Sequence, residues 1–196
     1  MTSVIFTSAL VRPYNEDMTA VIARGSVEQA APPAFVTAPA TAAAVGALVR
    51  TCSPESLRRR FLAPAPLEPE AVLERYRRYL LAGPPAGAAA LALIEGTPVG
   101  LLNLVVVRDR QVEASVLVAD AWQHRHIATS LLTVELGRSR WVGWTVCVTV
   151  EPGNLPVRQL LARQQFGTCR LVGRDPSAWD YAVRLGDVAD ERPSPP

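Results

Sequence analysis

The stretch Glu113-Ala114-Ser115-Val116-Leu117-Val118-Ala119-Asp120-Ala121-Trp122-Gln123-His124-Arg125-His126-Ile127-Ala128-Thr129-Ser130-Leu131-Leu132 reads as three elements in succession. Aliphatic and β-branched residues run to Ala119, as in a buried strand. A polar turn follows through Gln123-His124-Arg125-His126, and from Ile127 the pattern is that of a helix start. A helix that opens directly off such a turn presents backbone N–H groups with no intrahelical acceptor, a natural seat for phosphate. The slots that mark the junction are Gln123, His126 and Ala128.

Working outward, the rest of the chain alternates strands and helices. Ile127–Arg140 predicts a helix with Leu131, Leu132, Val134 and Leu136 on its apolar face. Thr145–Val150 is a central strand, and Asn154 caps a further helix whose early Pro156 sits where its missing N–H has no partner to lose. Thr168–Gly173 and Trp179–Leu185 close the pattern as strands. Upstream, Gln111–Ala119 is entered through a turn at Asp109-Arg110. Ala88–Glu95 and Pro98–Val107 are strands joined by Glu95-Gly96-Thr97, a tight hairpin signal. Ala34–Thr37 is a short strand and Ala40–Thr51 an alanine-rich helix. Ser53-Pro54-Glu55-Ser56 starts a helix through Phe61, with Ser as cap, Pro at the first position and an acid in the first turn. Pro69–Leu81 has Val72, Leu73, Tyr76, Tyr79 and Leu80 near helical spacing.

Residues 1–33 form an N-terminal extension in which Val4–Arg12 and Met18–Arg24 flank a turn and suit a β-hairpin. Residues 34–186 are the α/β domain, and the polar, proline-rich 187–196 is expected to be a disordered tail. Net charge is +2 over 196 residues, which argues against a dedicated nucleic-acid binder and leaves that reading only the arginine clusters; all twenty basic residues are arginine. No apolar run reaches membrane-spanning length. Cys52, Cys147 and Cys169 are widely spaced and unpaired by motif, as expected of reduced thiols in a cytoplasmic protein. Cys147, within an apolar run, reads as core. Arg58-Arg59-Arg60, with Arg75, Arg77 and Arg78, reads as a solvated face; the alternative is attraction of an acidic ligand group.

Four signatures occur in a fixed order. Ser53-Pro54-Glu55-Ser56-Leu57 is followed by Arg60-Phe61, and Gly96-Thr97-Pro98-Val99-Gly100 makes the hairpin. Val118-Ala119-Asp120-Ala121-Trp122-Gln123 approaches the loop, and Val150-Glu151-Pro152-Gly153-Asn154 precedes Leu160-Leu161-Ala162-Arg163. Together they resemble the GNAT superfamily of N-acetyltransferases from Ala34 to Leu185, in particular its bacterial protein-acetyltransferase-like branch. The resemblance implies an α/β (α+β) GNAT fold, a central mixed, mostly antiparallel sheet flanked by helices. It also implies transfer of an acetyl group from acetyl-CoA to a primary amine, on a protein lysine or a small molecule. The family's loop runs Gln/Arg-x-x-Gly-x-Gly/Ala; here His126 takes the place of the first glycine. The helix ending that is usually Gly-Phe reads Gln165-Phe166-Gly167.

Carried over residue by residue, the resemblance puts the CoA pyrophosphate on Gln123, His124, Arg125, His126, Ile127, Ala128 and Thr129, with Asn154 at the next helix. A backbone N–H near Leu117 or Val118 would meet the thioester carbonyl, where negative charge develops. An ammonium is not a nucleophile, so a base must take its proton first. Glu113 matches the family's glutamate base, on the strand face it shares with Ser115 and Leu117; the alternative is an ordinary strand-end acid near Asp109 and Arg110. The tyrosine that many relatives use to reprotonate the thiolate falls at Leu161. No metal is expected, because His124-x-His126 has no third ligand. Two functions stand: an acetyl-CoA-dependent N-acetyltransferase, or a degenerate GNAT-fold scaffold with weak or no CoA binding. The acceptor is open, and an exposed sheet edge leaves a homodimer open as well.

Overall fold

The computed structural model describes residues 34–163 and 167–186. The helices are α1 (Ala42–Arg50), α2 (Pro54–Phe61), α3 (Pro69–Leu80), α4 (Ile127–Leu136) and α5 (Leu155–Arg163). The strands are β1 (Val36–Pro39), β2 (Gly87–Ile94), β3 (Thr97–Arg108), β4 (Gln111–Val118), β5 (Thr145–Val150), β6 (Gly167–Arg174) and β7 (Trp179–Leu185). They form one sheet in the order β1-β2-β3-β4-β5-β7-β6, antiparallel throughout except for the parallel β4–β5 pair. This is the expected mixed, mostly antiparallel sheet. The anticipated hairpin in 1–33, the tail 187–196 and the ending Gln165-Phe166 lie outside the described residues.

Helices cover both faces of the sheet. On one, Leu48, Leu57, Val72 and Leu80 of α1, α2 and α3 close over Leu91, Leu101 and Leu117. On the other, Ile127, Leu131 and Leu136 of α4 and Leu161 of α5 pack on Leu102, Leu104, Val112, Val146 and Val183. Each fully buried leucine is worth about 1.5–3 kcal/mol against exposure. The caps act where the sequence puts them. Ser53 Oγ accepts from Ser56 N–H at 3.2 Å, and Asn154 Oδ1 accepts from Val157 N–H at 3.4 Å.

The helix expected over Ile127–Arg140 ends instead at Leu136, and Val134 is 45% exposed rather than part of the apolar face. Glu135 is the buried residue beside it. Its carboxylate takes Arg138 at 2.8 Å, Arg140, and the Trp141 indole N–H at 3.3 Å. That convergence folds Ser139–Trp141 into a short 3-10 turn and buries Trp141. Cys147 is half-buried, not a core residue.

Candidate functional site

β4 and β5 are hydrogen-bonded only at Gln111–Thr145, Val112–Val146 and Glu113–Cys147. Beyond Cys147, β5 has only β7 as a partner, while β4 continues along β3 to Val118. A wedge therefore opens in mid-sheet just past Glu113. Ala119 N–H donates to the Val99 carbonyl at 3.0 Å. Alternation along an antiparallel ladder then turns Leu117 toward β3 as well, and turns the N–H groups of Val116 and Val118 into the gap. Of the two donors anticipated for a carbonyl oxygen, Val118 faces the wedge and Leu117 does not; the Leu117 side chain is buried too.

The loop at the wedge's mouth is Asp120–Trp122, a 3-10 turn, then Gln123-His124-Arg125-His126 into α4. The first helical hydrogen bond of α4 runs from Ser130 N–H to the His126 carbonyl at 3.0 Å. The N–H groups of Ile127, Ala128 and Thr129 are thus left over at the helix end, and His126 makes no side-chain cap. The aligned peptide dipoles favour negative charge at this end. Gly100 sets how closely α4 approaches the sheet. A Cβ on it would lie 2.8 Å from Ile127 Cγ2 and 3.2 Å from Leu131 Cδ1.

The loop side chains divide. His126 occupies the glycine slot in the left-handed conformation, φ 61°, and His124 does the same at φ 60°. Both are positions where an L-residue is strained and glycine is not. Arg125 is exposed, its guanidinium 4.9 Å from the Trp122 ring centre. Ile127 contributes only its N–H, since its side chain is core. The Gln123 side chain turns inward, donating to Ser56 Oγ at 3.0 Å, the Asp120 carboxylate at 2.9 Å and the Val118 carbonyl at 3.3 Å. Asp120 in turn accepts from Ser53 N–H at 2.9 Å and Ser56 Oγ at 2.6 Å. Gln123 thus fastens the loop to α2 instead of reaching out of it. Asn154 is similarly committed through its Oδ1 cap, with its amide nitrogen free of partners among the described residues.

Glu113 is exposed at the apex of the wedge. Its side chain shares the face of Ser115 and Leu117, as the strand period requires, with Cys147 beside it on β5. Burial pushes the Cys147 thiol up, and the Glu113 carboxylate adds to this. Over the same face stands Arg60, at the end of α2. Its Nη2 donates to Asn103 Oδ1 at 3.2 Å, and its guanidinium carbon lies 4.8 Å from the Phe61 ring centre. Asn103 is 1% exposed and donates to the Tyr79 and Leu80 carbonyls at 3.2 and 3.1 Å. Burial pulls the Arg60 guanidinium down to about 10, against the opposing field of Glu113.

The arginine cluster is therefore not a uniform solvated face. Arg58 is bidentate to Glu151 across the wedge and also paired with Glu55, while Arg59 is exposed and paired with Glu55. The sequence reading named Arg60 only within Arg60-Phe61 and the arginine cluster, with attraction of an acidic group as the alternative, and it missed Asn103, Val116 and the Asp120 contacts. Leu161, at the position of the family's tyrosine, is buried core. Beside α2, a hollow of about 590 Å³ opens among Leu62, Pro64, Pro152, Pro176 and the Arg58–Glu151 pair. Among the described residues, no three His, Cys, Asp or Glu side chains converge in a way that would hold a metal, and no helix is long and apolar enough to cross a membrane.

No family model matches the chain, and no curated protein matches it. Solved structures do. The GNAT domain of S. lividans PAT superposes with a TM-score of 0.61 at 21% identity, covering 77% of this chain and 90% of that one. A phosphinothricin acetyltransferase of the GNAT superfamily from Sinorhizobium meliloti, in complex with acetyl-CoA, gives 0.55 at 16% identity, with 82% and 93% covered. YncA from Salmonella typhimurium, solved with acetyl-CoA, gives 0.57 at 17% identity, with 81% and 98% covered. The chain has the GNAT fold over its described residues.

Proposed function

We propose that the protein transfers an acetyl group from acetyl-CoA to a primary amine. The observation that carries this reading is the wedge between β4 and β5, with the leftover N–H groups of α4 at its mouth and a carboxylate at its apex. Neighbours of the same fold were solved with acetyl-CoA, which supports the same co-substrate here. The residues present fit it. The N–H groups of Ile127, Ala128 and Thr129, with Arg125 beside them, suit a pyrophosphate. Acetyl-CoA supplies an acetyl group activated as a thioester.

The chain's own residues do the rest. Glu113 takes a proton from the acceptor's ammonium, freeing the lone pair that forms the new C–N bond, and the nitrogen's second proton passes to solvent as the amide forms. Val118 N–H donates to the carbonyl oxygen as negative charge develops on it. The C–S bond breaks, and the sulfur leaves as a thiolate that solvent can protonate, since Leu161 offers no acid. His126 favours a second reading, a scaffold that binds CoA weakly, because its ring stands where relatives keep a glycine.

Calorimetric titration with acetyl-CoA separates the two. Micromolar binding supports the transferase; absence of binding that returns in His126→Gly supports the scaffold. In the transferase, Glu113→Gln lowers kcat about 100-fold or more, within the usual worth of a general base. The acetyl-CoA Kd of that variant stays within about twofold of the parent's, and a lost affinity would make Glu113 structural.

A further inference from the structure

Three consecutive arginines on α2 meet three different fates, and the third is unresolved within the protein. Arg58 and Arg59 each have carboxylate partners. Arg60 has none within ion-pair distance among the described residues. Its Nε is shut off from solvent with no acceptor, and its Nη2 is held by a neutral amide oxygen. Arg60 is half-buried overall, and a guanidinium partly withdrawn from water with no carboxylate in contact favours an anion that comes to it. Its placement is fixed, since Asn103 is clamped by two carbonyls and Phe61 is stacked on Tyr76 with ring centres 4.1 Å apart.

The anion can be located by register. Asn103 pairs with Ser115 and Val105 with Glu113, so Asn103 and Glu113 are diagonal neighbours on one sheet face. Diagonal neighbours stand roughly 7–8 Å apart. Arg60 lies over Asn103 and feels the field of the Glu113 carboxylate. A cation and a carboxylate so spaced on one sheet face present opposite charges to one small molecule.

Resting on the transferase reading above, we infer that Arg60, held in place by Asn103, forms an anion subsite for the acceptor, which is a free amino acid whose carboxylate meets Arg60 while its amine meets Glu113. The two groups of an α-amino acid are joined through a single carbon, so one molecule spans both residues. A lysine side chain in a protein brings no carboxylate to that place. Arg60 binds and orients the acceptor; it takes no part in proton transfer.

The test uses free L-amino acids, each paired with its α-carboxamide, on the full chain. In acetylation assays followed by CoA thiol release, the best acid should exceed its amide about tenfold or more in kcat/KM, as expected for a charge-assisted contact. Arg60→Gln should bring acid and amide to parity, with Arg60→Lys restoring part of the preference. The acetyl-CoA Kd should hold in both variants. Without acetyl-CoA, the acid and not the amide should raise Tm, and Arg60→Gln should abolish that rise. Equal use of acid and amide by the parent protein, a preference that survives Arg60→Gln, or a Tm rise from both acid and amide would each overturn the subsite. Failure to bind acetyl-CoA while the acid still raises Tm would overturn the transferase reading and leave the anion subsite standing.

Discussion

Replacing His126 by glycine should make the protein more stable and bind acetyl-CoA more tightly. His126 is held at φ 61° with no cap hydrogen bond from its side chain. The left-handed conformation costs an L-residue about 1–2 kcal/mol, with histidine toward the lower end because it visits that region more readily than most. Glycine removes this cost but loosens the unfolded chain, which takes back about 0.4–1 kcal/mol. The net gain is about 0–1 kcal/mol, a Tm rise of up to ~4 °C in a chain of this size. His124, at φ 60° and exposed, should give a similar stability gain when changed to glycine. Only at position 126 does the change also clear a side chain from the α4 end, so the gain in affinity should be larger there. Thermal melts of the three proteins, with calorimetric titration of each, measure both effects. A Tm drop of more than about 2 °C in His126→Gly, or weaker acetyl-CoA binding than the parent, would refute the reasoning. Either result would mean that the imidazole holds the loop or the ligand.

Three further outcomes follow from the same geometry. Gly100→Ala drives a methyl against buried Ile127 and Leu131, and overpacking of about 1–3 kcal/mol outweighs the entropy gain of about 0.4–1 kcal/mol. Its Tm should fall by a few degrees with a weakened acetyl-CoA affinity, and an unchanged melt would put α4 farther from β3. Burial alone would raise the Asp120 carboxyl, but the hydrogen bonds from Ser56 and Ser53 outweigh it and hold the pKa below its ordinary value. Its stabilising share is present above the unfolded value of about 3.9 and lost as pH falls through the lower folded value. Asp120→Asn should therefore flatten acid destabilisation below about pH 4, measured by melts across pH. Burial pushes the Cys52 thiol up to about 12, with its Sγ donating to the Leu48 carbonyl at 3.4 Å. It should resist thiol reagents until unfolding, as mass spectrometry of labelled peptides would report; early labelling at Cys52 would refute its burial.

Much of this architecture was legible because its causes are local. The Glu95-Gly96 turn, the Ser53 cap and the period-2 and 3.6 patterns each act within a few residues, and each element stands close to its expected bounds. The end of α4 was not legible, because Glu135 reads as a surface acid until Arg138, Arg140 and Trp141 are seen to close on it. The inward turn of the Gln123 side chain was hidden for the same kind of reason. Its partners Ser56 and Asp120 lie on either side of a helix-to-loop contact 67 residues long in sequence. The run Arg58-Arg59-Arg60 looks uniform in one dimension. A helix turns about 100° per residue, so three successive side chains point to three different surroundings.

That rotation gives α2 its place in the site. Past Glu113 and Cys147 the sheet provides no hydrogen bond between β4 and β5, so nothing in the sheet itself fixes the width of the wedge. At its N-terminus α2 grips the β4 side, through Ser53 and Ser56 on Asp120 and Gln123. One turn later Arg58 grips the β5 side through both oxygens of Glu151. Between these grips Leu57 is sunk in the core, which keeps the helix from rolling. Two turns in, Arg60 is delivered over Asn103, on the face that Glu113 shares. An eight-residue helix therefore does three things at once: it ties the loop before α4 to the scaffold, spans the opening, and sets a charge beside the carboxylate. The paired Arg58 and the unpaired Arg60 differ in role because only one of them is needed to hold the protein together.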